Sequence, residues 1–392
     1  MNKKVLIYFN ESDLKPVGGP AGYLYNLKQE LERFNNTNIE FIKDKPTKQY
    51  KIIKKLPKFI LNIGRFIRHQ KERKYLLGNS PKESKVDLNK YDIVHFHSTF
   101  SMYRCKDSLK NYKGKVLLTT HSPQPMFLEK YNDGGLLNIE KKLFKKVYLE
   151  DFMKIDEYAF NRADYIIFPC KEAEEPYYNT WDKYKTIKEK NSYKYKYLPT
   201  GILEVFSKED SLKYRKKLNI DSNEFVISYV GRHNITKGYN VLKDVGKTLL
   251  NEDNITFLIG GKEEPLKGLK NKKWIEIGWT NDPFSLINSS NIFILPNKNT
   301  YFDLIMLEVL SLGKVVVASN TGGNKYIKNL DNSDGVFLYN NIEELKSIIK
   351  QLKQLPKEEL KKLEIKNKLL FKQNFTVEKF YNNYINILEN IK

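Results

Sequence analysis

Short, largely apolar runs alternate along this chain with amphipathic stretches of helical period. Val5–Phe9, Tyr91–His97, Val116–Thr120, Asp164–Pro169, Phe225–Val230, Ile255–Gly261, Trp274–Gly278, Ile294–Pro296, Val315–Ala318 and Gly335–Leu338 are such runs, apolar at most positions. They read as parallel strands covered on both faces. Helices are expected from near Ala21, with Leu24, Leu27 and Leu31 on one face, and over Asn138–Ala163, Ser211–Leu218, Asp282–Asn288, Leu304–Leu312, Ile342–Leu355, Lys357–Lys372 and Phe375–Ile391. The Lys- and Tyr-rich segment Lys171–Tyr197 has little period and predicts no element before its end. Strands alternating with helices place the chain in the α/β class, with doubly wound parallel sheets.

At 392 residues the prior is two domains, each with its own core. The boundary falls near residue 203, giving domains at 1–203 and 204–374 and a last helix at 375–392. No apolar run is long enough to span a bilayer, and the first apolar run reads as a strand, not a cleavable leader. Cys105 and Cys170 lack metal spacing and read as reduced thiols of a cytosolic protein.

The net charge is +21, carried by 68 Lys plus Arg, of which only eight are Arg. Such a surface attracts polyanions: nucleic acid, anionic headgroups or nucleotide diphosphates. No zinc-finger spacing or RNA-binding signature accompanies it, so a specific nucleic-acid partner is not indicated. The charge peaks over residues 48–78, with ten Lys/Arg against the single acid Glu72. From Lys58 on, Phe59, Ile63, Phe66 and Ile67 recur at helical spacing, with Asn62, Arg65, Arg68 and His69 between them. A basic amphipathic helix of this kind suits an anionic membrane surface, and equally suits packing on its own domain with a solvated face.

Four groups of residues carry candidate chemistry. Gly18 and Gly19 stand between the first strand and its helix, where backbone N–H groups approach a phosphate or simply turn the chain. His95, His97 and His121 end two strands; His95 and His97 share a face, but no third metal ligand is in sight. The strand Phe225–Val230 runs into GRHNITKGYNVL, where Gly231, Arg232 and Lys237 suit phosphate oxygens. The stretch Ile294–Gly323 is strand, polar loop, helix, strand and glycine pair, half of a nucleotide-binding unit. Glu308 is the only acid on that helix, among Met306, Leu307, Val309 and Leu310.

These stretches, in this order, resemble the family 4 glycosyltransferases, retaining enzymes of the GT-B fold. The resemblance is strongest over residues 226–323, moderate over 1–31 and 91–121, and absent over 48–78. It implies two Rossmann-like domains facing across a cleft and transfer of a sugar, with retention, from a nucleoside-diphosphate sugar to an acceptor hydroxyl. The donor would be a UDP-sugar, and the acceptor a glycan or lipid-linked group in surface polysaccharide synthesis at the inner face of the membrane. Neither a metal nor a cofactor is implied, because Arg232 and Lys237 would take the charge of the leaving diphosphate. His121 would lie beside the donor sugar, Glu308 would accept from the ribose, and Trp279 and Thr280 would lie near the base.

The family motif also carries an earlier acid, and here that position is Thr300; its two glycines fall on Tyr301 and Asp303. Asp303 is then the candidate to supply the missing carboxylate, and Thr300 to replace one hydrogen bond. The departures leave a second reading open, a non-catalytic GT-B subunit that binds a partner transferase or acceptor protein. A nucleotide-sugar epimerase of the same fold is a third, and a homo-oligomer is compatible with each.

Overall fold

The computed structural model describes residues 3–9, 14–16, 19–42, 57–77, 86–252 and 254–392. Gly18 and most of the basic stretch before residue 57 lie outside the described residues. The chain divides into two compact units, Met1–Phe168 with Pro176–Leu198 and Asn383–Lys392, and Pro169–Glu175 with Pro199–Asn382.

The first unit is built on six parallel strands: β1 (Val5–Tyr8), β2 (Ile39–Phe41), β3 (Ile93–Phe96), β4 (Lys115–Leu118), β5 (Tyr165–Phe168) and β6 (Tyr195–Tyr197). Their spatial order is β2-β1-β3-β4-β5-β6, so the winding reverses between β1 and β3. Helices on both faces cover the strands, and every residue of β1 and β3 is buried.

Two stretches fold differently from the sequence expectation. Asn138–Ala163 is not one helix but two, Asn138–Leu143 and Lys145–Arg162; Phe144 between them leaves helical dihedrals at φ −119° and sets its ring 6.1 Å from Phe66. Lys171–Tyr197, read as having little period, forms the short helices Glu175–Thr180 and Tyr184–Lys190 before β6. Tyr177, Trp181 and Tyr184 are fully buried there against Phe160. Those aromatics form the core of the segment, and the lysines between them mask its period.

The second unit repeats the plan with β7 (Phe225–Val230), β8 (Ile255–Gly260), β9 (Trp274–Gly278), β10 (Ile292–Leu295), β11 (Val315–Ser319) and β12 (Val336–Tyr339). The order is β12-β11-β10-β7-β8-β9, all parallel, and the winding reverses between β7 and β10. Phe225, Ile227 and Tyr229, with Ile255, Phe257, Ile259, Ile292, Ile294, Val315 and Val317, make one buried cluster. Leu242, Val245 and Leu249 of the Tyr239–Leu249 helix and Leu345, Ile349 and Leu352 of the Ile342–Gln354 helix complete it. A reversal of winding opens a crevice beyond the carboxyl ends of the two central strands, here the ends of β7 and β10.

Candidate functional site

Beyond β7 the chain passes through Gly231–Gly238 and enters the Tyr239–Leu249 helix. Gly238 sits at φ 68°, and a Cβ there would overlap the carbonyl of Pro296 at the end of β10. Only glycine tolerates both the dihedral and that approach. Lys298 N–H also donates to the Thr236 carbonyl at 3.1 Å, so the loops after β7 and β10 are fastened backbone to backbone.

The side chains follow. Lys237 Nζ donates to Asp303 Oδ1 at 2.8 Å, and Asp303 Oδ2 accepts from the Asn297 amide and the Thr300 hydroxyl. Burial alone would raise the Asp303 carboxyl, but the Lys237 charge and the three hydrogen bonds outweigh it and hold the group below the usual carboxylate range. Asp303 is therefore not a spare carboxylate: both its oxygens are engaged, and Thr300, itself buried, spends its proton on it.

Arg232 is exposed, with its carbonyl pinned by Tyr229 Oη at 2.8 Å, and makes no ion pair with any carboxylate among the described residues. Gly231 N–H donates to the Gly260 carbonyl at 3.0 Å, which holds the start of this loop to the end of β8.

Tyr301 and Asp303 stand without glycine's backbone freedom and do not need it. Asp303 has φ −73°, and neither it nor Tyr301 is among the residues of positive φ. Tyr301 is buried with its carbonyl close to Gly323. The left-handed position is Gly322, at φ 47°, where a Cβ would overlap the Thr300 carbonyl. Its N–H donates to Glu175 Oε2 at 3.1 Å, and Glu175 Oε1 pairs with Lys325 at 2.8 Å.

Glu308 lies one turn into the Leu304–Ser311 helix, half-buried, with no hydrogen-bond or ion-pair partner for its carboxyl among the described residues. Burial among apolar neighbours pushes that carboxyl up to about 7. Trp279, just past β9, is 78% exposed, so it is not core-edge packing. Lys237, Asn297, Thr300 and Asp303 thus form one network, with Glu308 and Trp279 outside it. Sequence reasoning missed Asn297 and Glu175. Asn297 directly follows the strand-ending proline and had a signal in that place; Glu175 is more than a hundred residues from its partners and had none.

In the first unit Gly19 caps the Pro20–Arg33 helix at φ 78°, which only glycine adopts without strain. At the ends of β3 and β4 three imidazoles meet. His95 places Nδ1 2.9 Å from the Tyr384 hydroxyl and Nε2 2.9 Å from Thr119 Oγ1. His97 Nδ1 lies 2.7 Å from His121 Nε2, and His97 Nε2 is buried without a partner. Tyr23 meets the His121 ring edge-on at 4.6 Å. Burial pushes His95 and His121 down to about 3 and lowers His97 as well, so all three are neutral. Both His95 nitrogens are engaged, and no group of three or more potential ligands is placed to hold a metal among the described residues.

The Lys58–Leu77 helix also belongs to this unit. It is held by its polar side: His69 to Glu140 at 2.8 Å, Gln70 to Tyr148 at 2.8 Å and Arg73 to Asp151 at 3.0 Å, with Phe66 the one apolar contact named above. Phe59 (65%), Ile63 (56%) and Ile67 (47%) stay exposed, as do Ile139, Leu143 and Val147 on the helices it packs against. His69, read as part of the solvated face, is instead buried. Among the described residues no helix is long and apolar enough to cross a membrane.

Residues 210–384 match the family model described as glycosyl transferases group 1. The chain is 29% identical over 143 residues to an Escherichia coli UDP-Gal:alpha-D-GlcNAc-diphosphoundecaprenol alpha-1,3-galactosyltransferase, covering 32% of this chain and 37% of that one. The chain spans 37% and 60% of the lengths of the two curated relatives it matches. Among solved structures, sucrose-phosphate synthase from Thermosynechococcus elongatus superposes with a TM-score of 0.68 at 16% identity, over 99% of this chain and 98% of that one. Anabaena HepE, solved with UDP and glucose, does so with a TM-score of 0.63 at 14% identity over the whole of both chains. These two likenesses are likenesses of fold, and the fold is GT-B.

Proposed function

We propose that this chain, of the GT-B glycosyltransferase type with a group 1 segment at residues 210–384, moves a sugar from a nucleoside-diphosphate sugar to an acceptor hydroxyl. The observation that carries the reading is the Lys237–Asp303 pair at 2.8 Å, which joins the loops after β7 and β10 where the winding of the sheet reverses.

The chemistry is electrostatic. Arg232, unpaired among the described residues, offers a planar fork to the diphosphate, and Lys237 adds a point charge whose position Asp303 fixes. Asp303 acts by holding that ammonium, with Asn297 and Thr300 holding Asp303 in turn. As the glycosidic bond to the diphosphate breaks, the negative charge that develops on the leaving oxygen meets cations already in place. Gly231 and Tyr301 shape the walls, Trp279 offers a face to the base, and Glu308 accepts from the ribose hydroxyls. We assign His121 a hydrogen bond to the donor sugar, and Gly19 an approach to the diphosphate.

The finer assignments extend the same reading. The donor is a UDP-sugar, as in the names of the E. coli relative and the HepE complex. Transfer proceeds with retention and without a metal, to a glycan or lipid-linked acceptor, at the cytoplasmic face of a membrane. The exposed apolar stripe of Phe59, Ile63 and Ile67 beside Arg65 and Arg68 supports that location.

The test is release of UDP from a panel of nucleotide sugars, with Arg232→Ala and Lys237→Ala as controls. Each variant should weaken nucleotide-sugar binding by about 1.5–3 kcal/mol, the size of a charge-assisted hydrogen bond. Variants that bind as the parent does sink the site assignment. A parent that binds a nucleotide sugar but never turns it over is a binding subunit, not a transferase.

A further inference from the structure

His121 and His97 share one hydrogen bond, 2.7 Å between His97 Nδ1 and His121 Nε2. Both rings are neutral, so one nitrogen of the pair donates and the other accepts. There are two ways to place the protons. If His121 donates from Nε2, His97 carries its own proton on Nε2, and that N–H points into the core with no acceptor. If His97 donates from Nδ1, its Nε2 keeps only a lone pair there. A buried N–H without a partner is the rarer and costlier of the two defects. His97 is 1% exposed, so water offers no relief.

We propose that His97 is a positioning residue that fixes His121 in the tautomer carrying its proton on Nδ1. His97 donates, His121 Nε2 accepts, and the free edge of His121 presents a hydrogen-bond donor. Its ligand is therefore an acceptor: a sugar hydroxyl oxygen or a phosphate oxygen. His121 is half-buried, and its Nδ1 has no protein partner among the described residues. The ring is held from two further sides. Tyr23 meets it edge-on, and its own backbone sits at φ 57°, off the ordinary strand path. His95 does not compete for the shared bond, because its two nitrogens already face Tyr384 and Thr119.

The consequence for catalysis rests on the sugar-contact reading of His121, but the tautomer does not. The chain has five histidines, so the imidazole nitrogens of the full-length, 15N-histidine-labelled protein can be resolved by two-bond proton–nitrogen correlation. His121→Gln identifies the signals of that residue by their loss. The expected pattern for His121 is a protonated Nδ1 and an unprotonated Nε2. A protonated Nε2 with a bare Nδ1, or protons on both, overturns the proposal. In His97→Leu the donor is gone, and the His121 proton should move to Nε2, the site free histidine favours; an unchanged pattern also overturns it. If His97→Leu does not fold, the parent spectrum decides alone. Because the spectrum is read without any sugar, absence of turnover would end the transferase reading and leave this assignment standing.

Discussion

Glu308 gives the sharpest test of where the nucleotide sits. Its carboxyl is pushed up to about 7 by burial and has no partner among the described residues. If ribose hydroxyls donate to it, they bind the ionised form, so affinity is full above the midpoint and lost as pH falls through it. With a midpoint of about 7, roughly one molecule in eleven is ionised at pH 6 and about ten in eleven at pH 8. Binding should therefore be about tenfold weaker at pH 6, or about 1.4 kcal/mol.

Asp303, at the start of the same helix, is silent in this window: the Lys237 charge and three hydrogen bonds hold it well below. The ligand should be a UDP-sugar, not UDP, so that no terminal phosphate titrates alongside. Calorimetry in two buffers of different protonation enthalpy should show about half a proton released on binding at pH 7. Glu308→Gln should flatten the dependence. The same variant should raise the melting temperature at pH 8, where the parent buries a charge, and barely change it at pH 5, where the parent is already neutral. Equal parent affinity at pH 6 and 8, or an identical slope in Glu308→Gln, would refute the ribose assignment.

Other outcomes follow from the network and the surface. Lys237→Met strands a largely buried carboxylate, so adding Asp303→Asn should recover part of the lost stability, with a coupling of about 0.5–3 kcal/mol in a double-mutant cycle followed by urea denaturation; additive effects would show that the pair is not coupled. Gly238→Ala should cost more than about 1 kcal/mol in the same assay, because both the dihedral and the Pro296 carbonyl oppose a side chain; an unchanged midpoint would mean that the two loops are not locked there. Ile63→Asp, at an exposed position, should leave the melting temperature unchanged and lower sedimentation with anionic vesicles. No binding by the parent, or equal binding by both, would remove the membrane from the account.

The sheets were legible because strands covered on both faces leave apolar runs that local chemistry does not disguise, as Phe225–Val230 shows to the residue. β2 was not legible, since three residues carry no period. The helices hidden in Lys171–Tyr197 were missed because their cores are tyrosine and tryptophan flanked by lysines. At the candidate site, residue types and spacing pointed to Arg232, Lys237 and Glu308. They could not show that Asp303 would be consumed by Lys237, because that contact joins loops 66 positions apart and depends on the order of β7 and β10 in space. The pairing of His97 with His121 was likewise beyond reach, although each histidine was visible at its strand end.

The fastening of the loops after β7 and β10 uses main-chain atoms and the absence of one side chain. That part of the fastening does not use the side chains of residues 299–302, whereas the Lys237–Asp303 pair beside it also draws on the Thr300 hydroxyl. For an engineer this marks a mount: a library randomised at Asn299 and Tyr301, with Gly238, Thr300 and Phe302 left alone, would explore new donor preferences.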